Sequence, residues 1–227
     1  MTLCTNCMAG CCRRYDVGLT GYDIIKISRT LDVPPSFFLN VAEYTDEDYI
    51  QNVSKSEALF AFTDNSCKHL YRIKLKRVKS TIYETSLKCI FLQEWISEDI
   101  TKSVFARCGI YNIRPVICST YPAKFVNDKR TVVIPYVFDR DKNYKESPYE
   151  LCKRAFIESD FNFDKDEMIN LLIKHNYETE FFKSFAEKWN QNPSSVNDFL
   201  LEITNLYKNR VYIETEKDNI SFISDIA

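Results

Sequence analysis

Glycine and histidine are scarce in this chain, and both shortages exclude chemistry. Of 227 residues only four are glycine (Gly10, Gly18, Gly21 and Gly109), and no G-x-G-x-x-G or Walker-type loop is drawn from them. A standard dinucleotide-binding domain and a P-loop enzyme are therefore excluded. The only two histidines, His69 and His175, stand far apart, and there is no H-E-x-x-H motif and no nucleophile elbow. Acid–base catalysis by histidine has almost no basis. Charge of one sign is also missing: the net charge is −2, so no global basic excess points to nucleic acid or a membrane surface. No apolar run approaches membrane-spanning length. The first residues are polar and Cys-bearing rather than a basic stretch followed by an apolar one, so a reducing cytoplasm is the expected compartment.

Cysteine, in contrast, is abundant and patterned. Nine occur, opening with Cys4-x-x-Cys7-x-x-x-Cys11-Cys12 in CTNCMAGCC. Two intervening residues let a C-x-x-C pair fold round one metal, and Cys11 can return to the same locus. Cys12, its direct neighbour, is expected to point elsewhere. The adjacent pair therefore fits two metal positions, a polynuclear site, or one ligand beside a packed thiol. Buried free thiols and disulfides are the alternative fates of such a quartet. The odd total and the expected compartment weigh against disulfides.

The pattern along the chain predicts an α+β protein: a small cysteine-rich metal-binding module of short strands and helices over 1–147, then a helical C-terminal part over 148–227 packed on it. Residues 1–18 read as a ligand-bearing loop. Thr20 to Leu31 reads as a helix with Thr20 as N-cap, and Pro35 opens a second short helix through Phe37, Phe38 and Val41. Leu59 to Phe62, Leu70 to Val78, Ser80 to Phe91 and Thr131 to Phe138 have strand character, while Glu94 to Arg107 reads as a helix or an inserted loop. In Tyr71-Arg-Ile-Lys-Leu-Lys-Arg, apolar and basic residues alternate, as in a half-buried strand with its charges in water. Helical spacing then marks Tyr149 to Ile157, Lys165 to His175, Glu178 to Trp189 and Val196 to Tyr207, the last preceded by a capping serine in Asn192-Pro-Ser-Ser. A short strand is expected in the tail from Val211 to Ile226.

Four blocks in order, CTNCMAGCC, LTGYDIIKISRTLDVPPSFF, CIFL and CGIYNIRPVICSTYP, resemble the YkgJ family of cysteine-cluster, zinc- or iron-chelating proteins. The resemblance covers residues 4 to about 122. It implies Cys4, Cys7, Cys11, Cys12, Cys89, Cys108 and Cys118 as metal ligands, with Arg114 and Pro115 as an accompanying structural pair and Arg114 hydrogen-bonded to the cluster loop. Cys152 is the candidate for an eighth ligand, although its surroundings depart from the family's pattern. The long spacing from Cys89 to Cys108 implies an insertion around Trp95 to Val104. Cys67 falls outside the pattern; with His69 it reads as a packed thiol beside a surface histidine, or else as a ligand pair.

The expected cofactor is an iron–sulfur cluster, such as a 4Fe–4S centre, or zinc; seven or eight thiolates exceed one zinc site, which leans towards the cluster, while two zinc sites would also use eight. Arg13, Arg14, Lys88, Arg107, Arg114 and Lys124 flank the cysteines as candidate counter-charges. Two other functions are carried alongside metal chelation. One is a redox or electron-transfer module. The other, from a more distant similarity to the cysteine region of flagellin lysine N-methylases, is methylation of protein lysines with S-adenosylmethionine. Beyond a metal ion or cluster, a protein partner is expected and a membrane or nucleic acid is not. The basic strand of Lys68, Arg72, Lys74, Lys76, Arg77 and Lys79 is either a docking face for an acidic partner or a solvated surface.

Overall fold

A computed structural model describes residues 9–45, 57–64, 69–98, 100, 103–121, 123–126, 131–133 and 164–211. The fold is α+β, with short antiparallel strands and a helical C-terminal part. By contacts it divides into two units that interleave along the chain. One comprises Met1–Asp16 and Lys76–Lys174, the other Val17–Leu75 and His175–Ala227. The expected boundary at 147/148, the helix from Tyr149 to Ile157 and the tail strand lie outside the described residues.

The first unit begins with α1 (Gly10–Arg14), a single helical turn where the sequence reads as a loop. Three two-stranded antiparallel pairs follow: β4 (Arg77–Lys79) with β5 (Leu87–Cys89), β6 (Leu92–Ile96) with β7 (Val104–Cys108), and β8 (Lys124–Val126) with β9 (Thr131–Val133). A short helix, α3 (Val116–Thr120), sits between the last two pairs. The β6–β7 hairpin replaces the helix or loop expected over Glu94 to Arg107. Stacking of Trp95 on Phe105, directly opposite it, supports the strand pairing (centroids 5.8 Å apart). Within Ser80 to Phe91 only β5 is extended, because Ser80 closes a turn by accepting the amides of Ile82 and Tyr83 at 3.2 and 3.0 Å.

The second unit is built on α2 (Gly21–Leu31) and a sheet of β1 (Leu39–Glu43), β2 (Leu59–Phe60) and β3 (Tyr71–Leu75) in the order β1-β3-β2. Thr20 caps α2 reciprocally: its Oγ1 accepts the Asp23 amide at 3.3 Å, and Asp23 Oδ2 accepts the Thr20 amide at 3.3 Å. Ile24, Ile25 and Ile27 are buried. Pro35 opens only one 3-10 turn, Pro35–Phe37; Val41 then lies in β1, where β3 satisfies its backbone, rather than in a helix. Central placement of β3 also buries Arg72, which meets Glu57 in a two-pronged ion pair at 2.8 and 2.9 Å. Its expected solvated face is thus interrupted.

The two helices expected before and after Tyr177 are one, α4 (Lys165–Trp189). Nothing between them breaks helical geometry. Its C-terminal half and α5 (Val196–Leu206) supply Phe182, Phe185, Trp189 and Phe199 to an aromatic core with Phe60 and Phe62. Trp189 Nε1 donates to the Ala61 carbonyl at 2.8 Å, so this indole is both buried and satisfied. Ser195 caps α5 with Asp198 as its reciprocal partner. Among the described residues no helix is long and apolar enough to cross a membrane.

Candidate metal centre

Four separate elements of the first unit present cysteine. Cys11 and Cys12 lie on α1, Cys89 ends β5, Cys108 ends β7, and Cys118 lies on α3; all five are half-buried thiols. The Cys11 and Cys12 Sγ atoms are 3.9 Å apart, so the adjacent pair faces one locus, against the expectation that Cys12 points elsewhere. Electrostatic interaction joins Cys12 to Cys11, Cys89 and Cys118, and joins Cys11 to both Cys89 and Cys108. Five of the sequence-predicted ligands thus lie in one unit and raise one another's thiol pKa values, with the Cys11 and Cys12 sulfurs adjacent. Cys4, Cys7 and Cys152, together with Cys67, lie outside the described residues. Among the described residues no three His, Cys, Asp or Glu side chains already form a metal-holding group.

This crowding disfavours thiolate in the absence of a cation. The Cys12 thiol is pushed far up, first by its hydrogen bond with Cys11, then by burial and by the neighbouring sulfurs. Burial raises Cys89 from an ordinary 9.0 to about 11, against a lowering from the Phe91 backbone and from Arg77. Cys108 is raised by burial too, with the Ile110 backbone and Arg114 opposing. A bound cation reverses this balance, because it replaces the protons and neutralises the sulfurs. All-sulfur donors suit zinc and iron–sulfur chemistry, so the residues fit the group the sequence implies.

The flanking cations divide into distinct roles. Arg114 is buried, stacks on Tyr111 with its guanidinium 3.9 Å from the ring centre, and donates Nε to Ser119 Oγ at 3.3 Å, one residue beyond Cys118. Arg107 instead turns to Gln93 (2.8 Å) and Trp95, while Arg14 is exposed and Lys124 is described by its backbone alone. Arg13 and Lys88 both meet Glu94, at 2.5 and 3.0 Å.

Two residues of this centre escape sequence reasoning. Arg77 donates to the carbonyls of Arg13 and Leu87, the latter at 3.0 Å, and lowers the Cys89 thiol pKa. Glu94 has a completely buried carboxylate. A signal for Glu94 does exist: strand alternation through Leu92, Glu94 and Ile96 separates it from Gln93 and Trp95 and puts it on the Leu92 side, opposite Ala106.

Cysteines presented by four dispersed segments of one unit are the pattern of a cysteine-cluster chelating domain. Residues 3–153 match the CxxCxxCC family, described as a "putative zinc- or iron-chelating domain", and the chain belongs to that family. No curated protein and no solved structure matches it.

Proposed function

We propose that the protein holds an iron–sulfur cluster through thiolates drawn from Cys4, Cys7, Cys11, Cys12, Cys89, Cys108, Cys118 and Cys152. The observation that carries this reading is the adjacent Cys11–Cys12 pair, with Sγ atoms 3.9 Å apart, in the same unit as Cys89, Cys108 and Cys118 and electrostatically linked to them. Adjacent ligands suit a polynuclear centre better than a single tetrahedral zinc, which takes four ligands in all. Arg114 supports the centre from beside Cys118 and Cys108, where its charge offsets sulfur negativity. A bound cluster supplies one-electron redox chemistry. The chain's own part is to gather the thiols, shield them from bulk water and balance their charge.

Metal and acid-labile sulfide analysis of protein purified without oxygen, with a visible spectrum, tests the proposal. Iron with matching sulfide and a brown colour is the expected result. Zinc without sulfide overturns the cluster while keeping chelation. Replacing Cys118 by Ser is expected to abolish metal retention, and full metal content in that variant would remove Cys118 from the ligand set.

A further inference from the structure

Glu94 sits on β6, a strand that carries no cysteine, yet it is tied to three segments that do. Its Oε1 accepts from Lys88 Nζ at 3.0 Å, Ser80 Oγ at 2.7 Å and both the amide and hydroxyl of Thr81 at 2.6 and 3.0 Å. Its Oε2 meets Arg13 Nη2 at 2.5 Å. Arg13 directly follows Cys12, and Lys88 directly precedes Cys89. Glu94 also shares a hairpin with Cys108, which pairs with Leu92 two residues before it.

Geometry gives these ties a consequence for the sulfurs. Neighbours on a strand point to opposite faces, so holding Lys88 on the Glu94 side directs Cys89 to the other side. On a single helical turn such as α1, fixing Arg13 fixes the rotation of the turn, and with it the heading of Cys11 and Cys12. A one-turn helix has few internal hydrogen bonds, here Arg13 N to Ala9 O at 3.2 Å and Tyr15 N to Cys11 O at 2.9 Å, so side-chain ties add to what holds that heading.

We propose that Glu94 is a positioning residue for the metal centre: a buried charge clamp that sets α1 and β5 so that Cys11, Cys12 and Cys89 converge. The proposal rests on the metal-binding reading for its purpose, but its geometry is testable without metal. In metal-free full-length protein, alkylation by iodoacetamide is followed cysteine by cysteine with mass spectrometry. Glu94→Gln, which keeps the shape and removes the charge, speeds labelling of Cys12 and Cys89 by about fivefold and leaves Cys118 unchanged. Arg13→Gln frees Cys12 selectively, and Lys88→Gln frees Cys89 selectively. Global destabilisation does not produce that split. With zinc or iron bound, Glu94→Gln loses metal to a chelator about tenfold faster than the parent.

Unchanged labelling of Cys12 and Cys89 in Glu94→Gln overturns the clamp, whatever the metal does. Equal acceleration at all cysteines in all three variants overturns it too, since that is loss of fold. Selective labelling in the variants, with a parent protein that takes up neither zinc nor iron, supports the clamp and overturns chelation.

Discussion

Two buried carboxylates, one in each unit, respond to pH in opposite directions. At Glu94 desolvation pushes the pKa up, but hydrogen bonds from Ser80, Lys88, Thr81 and Arg13 outweigh it and hold the group well below its ordinary 4.5. The folded state therefore binds this proton less readily than the unfolded chain. Its stabilisation is present above pH 4.5 and lost as pH falls below that value. Glu178 is opposite. Burial raises its pKa despite Arg210 and Tyr207, so its contribution is present below pH 4.5 and declines as pH rises through the raised value. Urea midpoints measured across pH are expected to show the acid-side loss flattened in Glu94→Gln and the decline above pH 4.5 flattened in Glu178→Gln. At neutral pH Glu94→Ala leaves the buried Lys88 without this carboxylate, while half-buried Arg13 keeps Ser80 and Tyr83, and should cost about 3 kcal/mol. A different residue-scale constraint acts at Gly21, where an added Cβ would stand 2.2 Å from the fully buried Tyr207 ring. Gly21→Ala gains helix propensity of about 1 kcal/mol but loses more by overpacking, about 1–3 kcal/mol. A lowered urea midpoint is the expected net result.

Among the elements, those with chemical punctuation were legible and those defined by partners were not. Thr20 and Ser195 each stand three residues before an aspartate, and both close capping boxes in the structure. Their loss should differ in cost. Thr20 and Asp23 are buried, so Thr20→Ala leaves a carboxylate short of a partner and should cost about 1–2 kcal/mol. Ser195→Ala, at an exposed cap where Ser194 also donates to Asp198, should cost well under 1 kcal/mol, or about half as much at most. Urea unfolding of the two variants side by side measures the gap. The β6–β7 hairpin was illegible because its exposed face carries Trp95 and Phe105 and its hidden face carries an acid, which inverts the usual alternation. β1 was hidden for a related reason: an apolar run after Pro35 suits helix or strand equally, and only pairing with β3 decides it. The cysteine pattern was readable as that of a chelating family because metal ligands recur at spacings set by backbone geometry. Their counter-charges were not, since Arg13 and Lys88 turn to Glu94 and leave Arg77 and Arg114 to lower the thiol pKa values.

At the scale of the molecule, the two units draw on different sources of stability. Around Phe60 and Phe62 the second unit packs Phe182, Phe185, Trp189 and Phe199 in direct ring contact, a conventional apolar core. Phe199→Ala should therefore cost about 3–5 kcal/mol in that unit. Around its cysteines the described part of the first unit consists of two-stranded pairs and single helical turns, elements that are marginal when isolated. Its thiols hold protons against one another until a cation replaces them, so metal binding there is also folding energy. Free metal at a hundredfold excess over Kd would add about 2.7 kcal/mol. The chain's two tryptophans make this measurable, because Trp95 belongs to the first unit and Trp189 to the second. Trp95 is 44% exposed, so Trp95→Phe should be tolerated and leaves fluorescence reporting Trp189 alone. In that variant, stripping metal with a chelator should weaken hydrogen-exchange protection across 77–108 while the Trp189 urea transition stays in place. A Trp189 transition that shifts in step with the exchange would instead mean that metal binding stabilises both units through one cooperative unfolding event.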